Sequence, residues 1–89
     1  MISKDDVTIV IPTLNEEKAI GIVLDELLNL GYRNIIVVDG YSKDNTVKIA
    51  FEKGVKVIYQ HGHGKTGAIQ TALEHVNTSY MLVMDGDYT

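Results

Sequence analysis

Apolar residues fall along this chain in two alternating rhythms. Val7 to Ile11 is a short run rich in β-branched residues and closed by Pro12, which reads as a buried strand ended by a residue that cannot donate to a ladder. From Glu16 the spacing changes: Ile20, Val23, Leu24, Leu27 and Leu28 fall at i, i+3, i+4, i+7 and i+8, one apolar face of a helix. Asn15 is placed to cap that helix, Glu16 and Glu17 lie near its positive end, and Gly31 is placed to end it in the left-handed conformation. The unit then recurs. Ile35 to Val38 reads as a second strand, and Asp44 to Lys53 as a helix with Val47, Ala50 and Phe51 on one side, Ser42 or Asp44 as its cap and Gly54 after its end. Val55 to Tyr59 is the third strand, Ala68, Ile69, Ala72, Leu73 and Val76 mark a third helix face, and Tyr80 to Met84 is the fourth strand. Strands without polar alternation, separated by amphipathic helices, predict an α/β fold: a doubly wound parallel sheet in the order βαβαβαβ with right-handed crossovers.

Composition narrows the function classes. The 89 residues suffice for one small domain, and the apolar runs are far shorter than the roughly 20 residues that cross a bilayer. Met1 to Asp6 carries charges of both signs and no apolar stretch, so a soluble, cytoplasmic chain is expected. With no cysteine, disulfides and thiolate metal sites are out, and any metal site must use oxygen or imidazole ligands. A formal charge of -4 gives no support for binding nucleic acid, although a local site can still hold an anionic nucleotide through backbone amides or a bridging cation.

The polar clusters follow the predicted strands. Strand one leads into Thr13-Leu14-Asn15-Glu16, strand two into Asp39-Gly40, strand three into His61-Gly62-His63-Gly64-Lys65 and strand four into Asp85-Gly86-Asp87. In open parallel sheets, ligands collect outside the carboxyl ends of the strands, where loops and helix N-termini converge. A carboxylate directly after apolar strand residues, as at Asp39 and Asp85, is costly to bury without a donor, a cation or water. Simpler readings exist for several of these. Asn15-Glu16-Glu17 serves as a helix start and Asp39-Gly40 as a turn. His61 and His63 lack a third ligand nearby and read as solvated, and the tyrosines have no spacing of a stacking platform and read as packing residues. Gly64-Lys65-Thr66 is not a P-loop, because that motif requires glycine where Tyr59 stands. Lys65 remains a candidate phosphate contact at the start of the third helix, beside its reading as surface charge.

Ile11-Pro12-Thr13-Leu14-Asn15-Glu16-Glu17, Val37-Val38-Asp39-Gly40-Tyr41-Ser42-Lys43-Asp44-Asn45-Thr46, the Gly64-Lys65 loop and Met84-Asp85-Gly86-Asp87 resemble, in order and spacing, the family 2 glycosyltransferases of GT-A fold, with dolichol-phosphate mannosyltransferases and related polyprenyl-phosphate sugar transferases as the nearest likeness. The resemblance implies the strand order 3-2-1-4 and a nucleotide site built from Pro12, Asn15, Glu16, Asp39, Lys65 and Asp85. It further implies Mg²⁺ or Mn²⁺ held by Asp85 and Asp87, where a cation stabilises the charge that develops on a departing diphosphate. Many members carry two consecutive aspartates after strand two; here the second place is Gly40, so Asp39 is the one carboxylate at that turn.

By the same resemblance, the donor is a GDP- or UDP-sugar and the acceptor a lipid phosphate such as dolichol phosphate, glycosylated with inversion at the cytoplasmic membrane face. Members continue well beyond this point, so residues 1–89 are expected to be one nucleotide-sugar-binding domain cut short at its C-terminal end. By the resemblance, these residues are expected to lack the acceptor-activating residue and to bind nucleotide at most. Strand four would then be an apolar edge inviting self-association. Two alternatives remain: a non-catalytic nucleotide-binding module, and a phosphatase resembling the haloacid dehalogenases with Asp85 as nucleophile. The second is disfavoured because that motif ordinarily sits on a first strand.

Overall fold

The computed structural model describes residues 2–86. A 3-10 turn at Lys4–Asp6 leads into β1 (Val7–Thr13), α1 (Ile20–Asn29), β2 (Ile35–Asp39), α2 (Thr46–Glu52), β3 (Lys56–Tyr59), α3 (Gly64–Leu73) and β4 (Tyr80–Val83). All strand pairs are parallel and the order is β3-β2-β1-β4, as expected.

Side chains alternate between the two faces of a strand, so the continuous apolar runs of β1 and β2 feed two cores. Ile9, Ile11, Ile35 and Val37 pack against Ile20, Val23, Leu24 and Leu27 of α1 and Ala50 of α2. Val10, Ile36 and Val38 face the other way, onto Ala68 and Ala72 of α3. Each buried Ile, Leu or Val contributes about 1.5–3 kcal/mol, so the α1 face carries most of the stabilisation. The alanines of α3 instead let that helix lie close to the sheet.

Two helices bear out their predicted inward alanines, Ala50, Ala68 and Ala72, but bury threonines beside them in place of the larger apolar residues expected there. In α2 the inward row is Thr46, Ile49 and Ala50, and Phe51 is 73% exposed. In α3 it is Gly67, Ala68, Thr71 and Ala72, and Leu73 is 56% exposed. The physical reason is common to both: a threonine in each inward row bonds to a loop at the carboxyl edge of the sheet. Thr46 Oγ1 accepts from the Glu16 N–H at 2.8 Å, and Thr71 Oγ1 accepts from the His61 N–H at 2.9 Å.

β1 also runs past Pro12 to Thr13. In a parallel strand, alternate residues bond to alternate neighbours. Ile9 donates to Asn34 and Thr13 accepts from Gly40 on the β2 side, while Val10 accepts from Met84 at 2.9 Å on the β4 side. The next rung towards β4 would use the N–H of residue 12, which proline lacks. The proline therefore ends the β1–β4 ladder rather than β1 itself, and it releases the chain from the sheet at Asp85.

Asn15 is not a helix cap. α1 starts at Ile20 after a turn in which Glu16 O accepts from Ala19 and Ile20, and Asn15 takes the left-handed conformation, φ 56°. Gly31 does end α1 with a positive φ of 96°. Neither Ser42 nor Asp44 is the N-cap of α2: that place is Asn45, whose side chain makes no capping bond, and Asp44 bonds past it, its Oδ1 accepting from the Thr46 N–H at 3.0 Å.

Candidate functional site

The register sets Thr13, Asp39 and Tyr59 abreast at the carboxyl ends of β1, β2 and β3. Beyond them, the loops after β1 and β2 are laced together. Asp39 is fully buried; its Oδ1 accepts from the hydroxyls of Thr13 (2.8 Å) and Ser42 (2.6 Å), and its Oδ2 accepts from the Ser42 N–H (2.7 Å). These donors meet the cost of enclosing a carboxylate. The amides of Asn15, Glu16 and Glu17 then point in succession at Ser42 Oγ, Thr46 Oγ1 and Asp44 Oδ2, at 2.8, 2.8 and 3.2 Å. In return, Asn15 Oδ1 accepts from the Lys43 N–H at 2.8 Å. The Ser42-x-Asp44-x-Thr46 pattern is thus a comb of acceptors for the first loop. Asp44 is affected by its place in it: partial desolvation raises its carboxyl, but hydrogen bonds from the Thr46 hydroxyl, the Thr46 N–H and the Glu17 N–H outweigh that and hold it below the ordinary aspartate value.

In front of this frame lies a cleft of about 550 Å³, bordered by Pro12, Thr13, Leu14 and Glu16, by Gly40 and Tyr41, by Gln60 and Gly62 to Lys65, by Ala68, and by Asp85 and Gly86. All four post-strand loops contribute. Two glycines allow them to close in. A Cβ on Gly86 would stand 3.0 Å from Thr13 Cγ2, and one on Gly67 would stand 2.8 Å from the backbone carbon of Gly62. The first lets the turn after β4 press on the end of β1; the second lets the His61-Gly62 segment cross α3.

Of the residues the sequence singled out, Pro12, Glu16, Lys65 and Asp85 border the cleft. Asn15 and Asp39 stand behind it in the laced frame. Asp87 lies outside the described residues. Asp85 Oδ1 accepts from the Lys65 ammonium at 2.7 Å, with both side chains more than half exposed. An exposed pair of this kind adds at most about 1 kcal/mol of stability, and it places one positive and one negative charge together at the edge of the cleft. Among the described residues no group of three or more His, Asp or Glu is gathered for a metal. His61 and His63 are exposed, as expected of loop histidines, and the His61 ring bonds Glu74 at 2.7 Å.

The tyrosine reading is corrected in part. Tyr41 and Tyr59 are not packing residues: they are 64% and 52% exposed and stack on each other, ring centroids 5.1 Å apart and planes 14° from parallel. Gln60 was also missed, although its place directly after β3 marks it. Nothing in the local sequence marks Tyr41, whose φ of 67° is a feature of the folded turn.

Comparison with known proteins agrees with this geometry. The family described as Glycosyl transferase family 2 matches residues 8–89. Glycosyltransferase AglJ of Haloferax volcanii is 39% identical over 90 residues, covering all of this chain and 30% of that protein. A dolichyl-phosphate hexose transferase of the same organism is 36% identical over 87 residues, 96% of this chain and 38% of its own length. The chain therefore spans about a third of the length of these relatives. Among solved structures, glucosyl-3-phosphoglycerate synthase from Mycobacterium tuberculosis, in complex with Mn²⁺ and UDP-glucose, superposes with a TM-score of 0.83 at 27% identity, over 91% of this chain and 33% of that one. A haloacid dehalogenase reading gains no support: Asp85 follows β4, the fourth strand in chain order, and not the first.

Proposed function

The chain belongs to glycosyl transferase family 2, and from that premise we propose that it forms the donor site of a transferase that moves a hexose from a UDP- or GDP-sugar to a polyprenyl phosphate such as dolichol phosphate, with inversion, at the cytoplasmic face of a membrane. The observation that carries this reading is the convergence of four post-strand loops on one cleft, with an ion pair of Lys65 and Asp85 at its edge. A dolichyl-phosphate hexose transferase among the relatives supports the acceptor class. No helix among the described residues is long and apolar enough to cross a membrane.

In the proposed reaction an acceptor phosphate oxygen attacks the anomeric carbon, the bond to the donor's diphosphate breaks, and the nucleoside diphosphate leaves with the bonding pair. Asp85 and Asp87 are the residues that would hold Mg²⁺ or Mn²⁺, which when bound would neutralise charge on that diphosphate as a Lewis acid. Lys65 adds a positive charge at the same place, from the start of α3. Pro12 and Glu16 contact the nucleoside end, and Asn15 and Asp39 belong to the site as its frame, fixing the backbone to which it binds. Because these residues match only a third of each relative, their share of the work is donor binding, and turnover by the 89-residue chain alone is not expected. A second copy pairing along the β4 edge completes the proposal.

The test is an amide-shift titration with UDP-glucose and GDP-mannose, each with and without diamagnetic Mg²⁺. The expected result is Mg²⁺-dependent movement confined to signals of Pro12-adjacent residues, Glu16, Tyr41, Lys65 and Asp85. Shifts scattered over α1 and α2, or none at millimolar nucleotide, would remove the donor-site reading.

A further inference from the structure

We propose that Tyr41, backed by Tyr59, is an aromatic wall that stacks on the base of the nucleotide donor; this deepens the donor-site reading and rests on it. Tyr41 sits at φ 67°, a conformation that glycine adopts freely and that a large side chain occupies only at a cost. Its backbone is held there from both sides, by Gly40 N–H donating to Thr13 O at 2.9 Å and by Ser42 N–H donating to Asp39 Oδ2 at 2.7 Å. Despite stacking on Tyr59, the side chain remains 64% exposed, so the hydrophobic effect does not account for its presence. Tyr41 borders the cleft and Tyr59 does not. Tyr59 covers one face of the Tyr41 ring, which leaves the opposite face to receive a base.

The topology gives the cleft a direction. Tyr41 comes from the loop after β2 and Asp85 from the loop after β4, and these strands flank β1 on opposite sides. The ionic end, with Lys65 and Asp85, suits the diphosphate; the aromatic end suits the base. Pro12 and Leu14, from the loop between them, border the same cleft and add apolar surface. A tyrosine offers a flat contact with only two side-chain torsions to immobilise, and stacking serves any base because every base has a π-face. The wall thus contributes affinity for the nucleoside as a class.

Binding of UDP and GDP, and of ribose 5-diphosphate as a base-free probe, is measured by calorimetry with Mn²⁺ for the wild-type chain, Tyr41→Gly, Tyr41→Phe and Tyr59→Ala. Glycine is at ease at this φ, so Tyr41→Gly is expected to melt no lower than wild type. It is expected to bind the nucleotides roughly 5- to 100-fold more weakly, with ribose 5-diphosphate unaffected. Tyr41→Phe keeps the ring and its affinity, and Tyr59→Ala falls between. Equal nucleotide affinity of wild type and Tyr41→Gly overturns the wall while leaving the donor site standing, as does an equal loss for the base-free probe. Failure of the wild-type chain to bind either nucleotide overturns both readings.

Discussion

Thr46 occupies a place on α2 where side chains are enclosed, and it is fully buried, yet it is polar because both its hydrogen-bonding capacities are committed: Oγ1 accepts from Glu16 and donates to Asp44. Asp44 in turn accepts from Thr46 and Glu17, which makes one carboxylate the tie between the first two loops. Its folded pKa lies below the ordinary value of 3.8. A depressed carboxyl contributes stability that is complete above the unfolded value and is lost as pH falls through the folded one. Melting of the wild-type chain is therefore expected to fall on acidification to about pH 3, and that acid-dependent part of the loss should shrink in Asp44→Asn. Equal pH profiles for the two proteins, read by circular dichroism, would show that Asp44 carries no such linkage.

Among the elements, α3 is the one whose pattern gives least warning of its role. Its inward row of Gly67, Ala68, Thr71 and Ala72 serves two needs at once, close packing on Val10, Ile36 and Val38 and a seat for the His61-Gly62 crossing. Thr71 locks that seat, accepting from the His61 N–H and donating to Gly67 O at 2.8 Å. Helix propensity alone favours alanine over glycine at position 67 by about 1 kcal/mol. Here the sign reverses, since the new Cβ would meet backbone at 2.8 and 2.9 Å, which no side-chain rotation relieves. Gly67→Ala is expected to lose about 1–3 kcal/mol in urea unfolding and to weaken nucleotide binding through displacement of the Gly62 to Lys65 segment. A stability equal to or above wild type would refute the crossing as a constraint.

For the whole molecule, the sheet has a well-covered middle and open margins. β1 and β2 are enclosed by helices on both faces, whereas among the described residues β4 pairs only with β1, and Tyr80 and Leu82 are about half exposed beside Val7 and Ile9. An apolar edge with unpaired backbone groups is a template for a further strand. The 89-residue chain is accordingly expected to associate as its concentration rises through the micromolar range in sedimentation velocity, and Leu82→Lys to remain monomeric there. A wild-type boundary that stays monomeric throughout would exclude edge pairing.

The number, kind and order of the elements were legible in the sequence because each strand is a short apolar run and each helix repeats at helical spacing, signals that depend on neighbours along the chain. The rim on which the polar clusters gather was legible for the same reason, since parallel strands fix which end every following loop occupies. The threonines on the inward faces of α2 and α3, the burial of Asp39 behind the cleft and the exposure of the Tyr41–Tyr59 stack were not legible. Each depends on partners far away in sequence: Glu16 for Thr46, Thr13 for Asp39, Tyr59 for Tyr41. The chain's own periodicity thus set the scaffold, and tertiary structure decided which polar groups frame the site and which face it, because a hydrogen bond or a ring stack exists only once folding has brought its two halves within reach.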